Sequence, residues 1–261
     1  MARSAEALRP HRARGRVVRA VTLDLWGTLF IDGPGSDDRY RRPRLAGMRS
    51  ALARAGIGVT LDQLDRGYAA TGAWLARLWQ VNRDVPVREH VEVLLEAVDP
   101  VLPQRLPSET MAALIEAYAT PALAAPPVVD PGAAAALAAL ATQGMRLALV
   151  SNTMRTPGAV LIRILERAGL RSLFDVVTFS DECGVRKPAA AIFLRTLERL
   201  GVSAADAIHV GDDPILDVEG PRDVGMGAIQ VTPDGRATAP VKPHAVIRHL
   251  AELPATVRRL G

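Results

Sequence analysis

The stretch whose reading decides the fold is Val17-Val18-Arg19-Ala20-Val21-Thr22-Leu23-Asp24-Leu25-Trp26-Gly27-Thr28-Leu29-Phe30. It opens as a β-rich apolar run through Val17, Val18, Val21 and Leu23, stops at Asp24, and turns at once through Gly27 and Thr28. A carboxylate at the carboxyl end of a buried strand stands where open parallel sheets place their ligand crevice. Taken alone, the same aspartate also reads as a turn or cap residue.

Working outward, later segments end in polar residues in a set order. The run 147–150 ends in Ser151-Asn152, Lys187-Pro188 opens a helix, and the run 207–210 ends in Gly211-Asp212-Asp213, with Asp217 following. Around them strand and helix signals alternate: helix 132–142, strand 145–150, helix 157–168, strand 174–179, helix 188–200, strand 207–210, helix 218–224 and strand 228–231. This alternation predicts an α/β fold, a Rossmann-like parallel sheet with right-handed crossovers and helices on both faces. The last stretch, 245–260, reads as a helix or two broken at Pro254.

The texture changes after Asp32, where Gly33, Pro34 and Gly35 mark an exit from the core. Residues 32–126 show helix after helix and no strand signal: 46–55, then 60–80, then stretches near 87–98 and 108–119 split by Pro100 and Pro103. Thr60 with Gln63 three residues on is a capping box that opens the second of these. Its Tyr68, Trp74 and Trp79 do not share one helical stripe. The segment is therefore read as an inserted all-helical cap, with Pro126-Pro127 as the return hinge and 17–31 plus 127–261 as the core.

These motifs resemble the haloacid dehalogenase-like hydrolase superfamily, helical-cap type. Asp24-Leu25-Trp26-Gly27-Thr28 matches its first motif, D-x-D-x-T, except at the third position. Ser151-Asn152 matches the second, Lys187 the third, and Gly211-Asp212-Asp213 with Asp217 the fourth. The resemblance implies Asp24 as the nucleophile of a covalent aspartyl intermediate. It implies Mg²⁺ held by Asp24, Asp212 and the main-chain carbonyl of Trp26, with Asp217 in a supporting place. Thr28, Ser151 and Asn152 would serve the transferred group, Lys187 would neutralise charge, and Asp213 would orient water or a ligand. Only Lys187 and Lys242 of the 32 basic residues are lysine, which favours a chosen ammonium at Lys187.

Trp26 is the departure. The family's phosphatases carry there the aspartate that protonates the leaving oxygen, and an indole exchanges no proton at neutral pH. Family dehalogenases carry an aromatic residue at this position and need neither protonation nor Mg²⁺, but they lack the metal-binding aspartate that Asp212 supplies here. The expectation is a Mg²⁺-dependent phosphatase acting on a small phosphorylated compound whose leaving group departs unaided. A 2-haloacid dehalogenase-like hydrolase is the alternative, and a binding or regulatory scaffold that has lost turnover is a third reading.

Composition bounds the rest. With 261 residues, 49% of them hydrophobic, the chain can bury a large core. No apolar run reaches the roughly 18 residues of a membrane span, and one cysteine, Cys183, excludes an internal disulfide or a cysteine metal cluster. A cytoplasmic protein with a small-molecule substrate is expected. The isoelectric point of 9.8 is local: residues 1–20 hold six arginines against Glu6, a net of +5, while the whole chain carries +4, so the remainder sums to −1. Residues 1–16 are read as a disordered basic tail without the aromatic residues that stack on nucleic acid, so a nucleic-acid partner is not expected.

Overall fold

The computed structural model describes residues 17–32, 39–238 and 240–261. The basic tail 1–16 and the exit turn at Gly33 to Gly35 lie outside the described residues.

Six strands form one parallel sheet among the described residues: β1 (Ala20–Leu23), β2 (Arg146–Ser151), β3 (Val176–Phe179), β4 (Ala207–Gly211), β5 (Gly227–Val231) and β6 (Ala245–Ile247). Their spatial order is β3-β2-β1-β4-β5-β6. β1 is central, with Leu23 level with Leu149 on one side and Val210 on the other. That register brings Asp24, Ser151-Asn152 and Asp212 to one rim, at the place where the crossovers reverse direction.

Period-two alternation builds the layers. Leu147 and Leu149 of β2 join a cluster with Leu161 and Ile164, while Ala148 and Val150 face Ile192, Phe193 and Met226 on the other side.

Between β1 and β2 come six helices, α1 (Arg41–Arg54), α2 (Leu61–Gln80), α3 (Val87–Glu96), α4 (Leu102–Arg105), α5 (Ser108–Ala119) and α6 (Pro121–Ala124), and then α7 (Ala133–Thr142). The Thr60 capping box forms, with Gln63 N–H donating to Thr60 Oγ1 at 3.2 Å and Thr60 N–H to Gln63 Oε1 at 2.9 Å. These helices bury a cluster of their own that includes Leu52, Leu64, Tyr68, Leu94 and Leu114. The remaining helices are α8 (Gly158–Arg167), α9 (Ser180–Cys183), α10 (Ala190–Leu200), α11 (Gly220–Asp223) and α12 (Leu253–Leu260).

Three elements differ from expectation. Ala245–Ile247 is a strand paired with β5, since three apolar residues suffice at an edge whose partner supplies the ladder, and Pro254 lies in the first turn of α12. The helix expected over 218–224 is instead a π-helical segment, Pro214–Glu219, capped by Asp213, that runs into the single turn of α11, Gly220–Asp223. Lys187-Pro188 is a cis peptide, and α10 begins only at Ala190.

Candidate active site

β1 delivers Asp24 to the rim, and the turn behind it depends on Gly27. Gly27 has φ +80°, and a Cβ there would sit 2.6 Å from Asp212 Cγ, so residue 27 must be glycine for two independent reasons. The turn and the end of β4 can then touch, and Thr28 Oγ1 donates to Asp212 Oδ1 at 3.5 Å.

Lys187 is buried at 2% exposure, and its Nζ donates to Asp24 Oδ1 at 2.5 Å and to Asp217 Oδ1 at 2.6 Å. Asn152 fixes the backbone behind it: Lys187 N–H donates to Asn152 Oδ1 at 2.8 Å, and Asn152 Nδ2 donates to Lys187 O at 3.0 Å. Asp24, Asp212 and Asp217 present carboxylate oxygens within 4.8 Å of one another. They line a cavity of about 210 Å³ with Lys187, whose remaining wall includes Trp26, Met154 and Leu216.

The three acids sit in different fields. Burial, helped by the charges of Asp217 and Asp212, outweighs Lys187 and raises Asp24 to about 8. Burial and then the Asp217 charge raise Asp212 to about 6. Burial works against the Asp217 charge too, yet Lys187 and His209 overcome it and lower that group to about 2. An ionised Asp217 can only accept, so His209 Nε2 carries the proton at 3.0 Å from its Oδ1, and Thr22 Oγ1 donates to Nδ1 at 2.7 Å. Asp217 Oδ2 also accepts from Asp213 N–H at 3.0 Å. Asp217 is thereby engaged, leaving Asp24 and Asp212 as the carboxylates with oxygen to spare.

Asp24, Lys187, Asp212 and Asp217 therefore converge, with Thr28 at their edge. Asp213 lines the same cavity, and its Oδ1 accepts from Ile215 and Leu216 N–H, both at 2.8 Å, so it also caps the following turn. Ser151 is fully buried and donates to Asn152 O at 3.4 Å, while Asn152 spends its amide on Lys187. Trp26 is 3% exposed, packs edge-on against Phe30 at 5.5 Å, and has an indole N–H without a hydrogen-bond partner among the described residues. Sequence reasoning missed His209 and the cavity-lining Arg186. A polar residue inside the apolar strand β4, and an arginine directly before Lys187, were the available signals.

A parallel sheet whose central strand ends in an aspartate, faced by a buried lysine and two further acids, defines an α/β protein with a rim site built for carboxylate chemistry. The chain belongs to the haloacid dehalogenase-like hydrolase family, whose model matches residues 18–225. It is 35% identical over 109 residues to a ribulose-1,5-bisphosphate 5-phosphatase of Halopiger xanaduensis, a match covering 42% of this chain and 44% of that one. The match thus spans less than half of that relative's length. A phosphatase of this family from Thermococcus onnurineus has a similar structure, with TM-score 0.58 and 26% identity over 92% of this chain and 98% of its own. A 2-haloacid dehalogenase from Pseudomonas syringae shares the fold at TM-score 0.67 and 24% identity, over 94% and 100%.

Proposed function

We propose that the protein is a Mg²⁺-dependent phosphatase that hydrolyses a small phosphorylated compound through an aspartyl intermediate on Asp24. The observation that carries this is the meeting of Asp24, Lys187 and Asp212 around one small cavity. Asp24 is the nucleophile: its free oxygen attacks phosphorus and the P–O bond to the leaving group breaks. Lys187 holds the other oxygen and offsets the charge that builds up on the transferred group. Asp217 and His209 keep the ammonium in place from below.

The donor set fits a hard divalent cation, since it is all oxygen and two of its acids are raised above their ordinary range by burial and by neighbouring carboxylates, a cost that a cation would offset. Asp24, Asp212 and the Trp26 carbonyl would hold Mg²⁺, with Asp217 in support. When bound it screens the repulsion between a carboxylate nucleophile and a phosphate dianion.

Trp26 fills the place of a proton donor and offers none, so the leaving group departs as its anion. Aryl, enol and acyl phosphates meet that demand and alkyl phosphates do not. The relatives named as phosphatases support the phosphate reading. The proposal extends to organisation and location: residues 32–126 cap the rim, 17–31 and 127–261 form the core, and the enzyme is cytoplasmic.

One feature, Trp26 in the cavity wall, favours a second reading, cleavage of a carbon–halogen bond. The retained Asp212 speaks against it. The test is phosphate release from p-nitrophenyl phosphate with Mg²⁺, with Asp24→Asn as the null variant. Halide release from 2-chloropropionate that persists in EDTA selects the second reading. Absence of both activities leaves the scaffold reading.

A further inference from the structure

The helical segment reaches the rim through one buried carboxylate, Asp84. It follows α2 in a turn where Asn82 has φ +55° and where the chain runs against the loop before Lys187. Arg83 bridges Val185, Asp84 N–H donates to Gly184 O at 3.2 Å, and Arg186 N–H donates to Asn82 O at 2.9 Å. The Asp84 side chain is closed to solvent and accepts from Arg186 Nη1 and Ser180 Oγ, each at 2.5 Å. Thr153 Oγ1 at 3.3 Å, Trp79 Nε1 at 3.2 Å and the Val85 N–H at 3.0 Å also donate to it, and the Arg186 guanidinium lies 4.2 Å from the Trp79 ring centroid.

A buried charge persists only where it is paired and hydrogen-bonded. Here two of the partners, Arg186 and Thr153, come from the loops that hold Lys187. Arg186 is its chain neighbour and also donates to Thr153 O at 2.6 Å. Thr153 follows Asn152, whose amide grips the Lys187 main chain on both sides. Removing Asp84 would leave Arg186 buried and unpaired, free to pull both loops out of register.

We propose that Asp84 is a positioning residue: acting through Arg186 and Thr153, it sets the Lys187 ammonium against Asp24, so the lysine is in place only when the helical segment is seated. This rests on the role given to Lys187 under the proposed function, but the placement can be read without turnover.

The two lysines of the chain allow a direct test, since Lys187 is buried at 2% exposure and Lys242 is exposed. Brief acetylation of the intact protein with acetic anhydride, followed by peptide mass spectrometry, gives the Lys187-to-Lys242 labelling ratio. Asp84→Asn and Arg186→Met should each raise that ratio about tenfold, and the double variant no further than the larger single one. Turnover on p-nitrophenyl phosphate should fall by about 10²-fold in kcat with KM moving far less. Leu95→Ala, in the helices' own cluster, should lower Tm and leave the ratio at the wild-type value. An unchanged ratio in Asp84→Asn overturns the proposal. So does an equal rise in Leu95→Ala at matched Tm, which would make the effect one of stability alone. A wild-type protein without phosphatase turnover defeats the proposed function, and the labelling ratio then decides this inference by itself.

Discussion

Trp26→Asp should give the proposed phosphatase the proton donor it lacks at this position and so raise its cleavage of alkyl phosphates. The indole is 3% exposed and packed on Phe30, so its loss opens a cavity costing ~3–5 kcal/mol, a large part of a typical domain's stability. The new carboxyl would sit beside Asp24, itself raised to about 8, and Asp212, raised to about 6. Burial and the Asp212 charge would keep it protonated near neutral pH, as a general acid must be. Alkyl phosphates should gain roughly 10²- to 10⁴-fold in kcat/KM, while aryl phosphates, which need no proton, should gain little. The assay is a plot of log kcat/KM against leaving-group pKa at low temperature. The line should be steep for wild type and for Trp26→Phe, which keeps a ring and adds no acid, and flatter for Trp26→Asp. A flat wild-type line refutes the reasoning, as does a folded Trp26→Asp whose gain is equal for alkyl and aryl substrates.

Mg²⁺ should raise Tm more at pH 8 than at pH 6, because protons on Asp24 and Asp212 compete with a cation until they leave, and Asp212→Asn should abolish most of the shift. Burial lowers His90 to about 4 from 6.5, so the unfolded chain binds the extra proton between those values. Stability contributed by this group is whole above pH 6.5 and falls by ~3 kcal/mol as pH drops to 4, and urea titrations of His90→Met should lack that slope. Asp213→Ala should cost about 1 kcal/mol, the usual loss of a cap, and reduce kcat far less than Asp212→Asn does.

The rim was legible in the sequence because parallel strands end together. Once 17–24, 147–151 and 207–212 read as adjacent parallel strands, Asp24, Ser151 and Asp212 had to share an edge. What was not legible is which way each side chain turns there. Asp213 and Asp217 are both acids placed after one strand, and only the path of the turn makes Asp213 the cap while Asp217 lies under Lys187. The strand Ala245–Ile247 went unread because an edge position in a ladder already formed asks little of a short segment's own pattern. His209 and Asp84 escaped notice for a related reason: each is polar and buried, and its meaning depends on partners distant in the chain. Local pattern thus announces the groups that face the ligand, whereas the groups that aim them are visible only once the chain has folded. Lys187 stands between the two sets, announced by its position and aimed by Asn152, Asp217 and the loop that carries Arg186. The chemistry open to this site therefore depends on the residues that aim Lys187 as much as on the carboxylates that line the cavity.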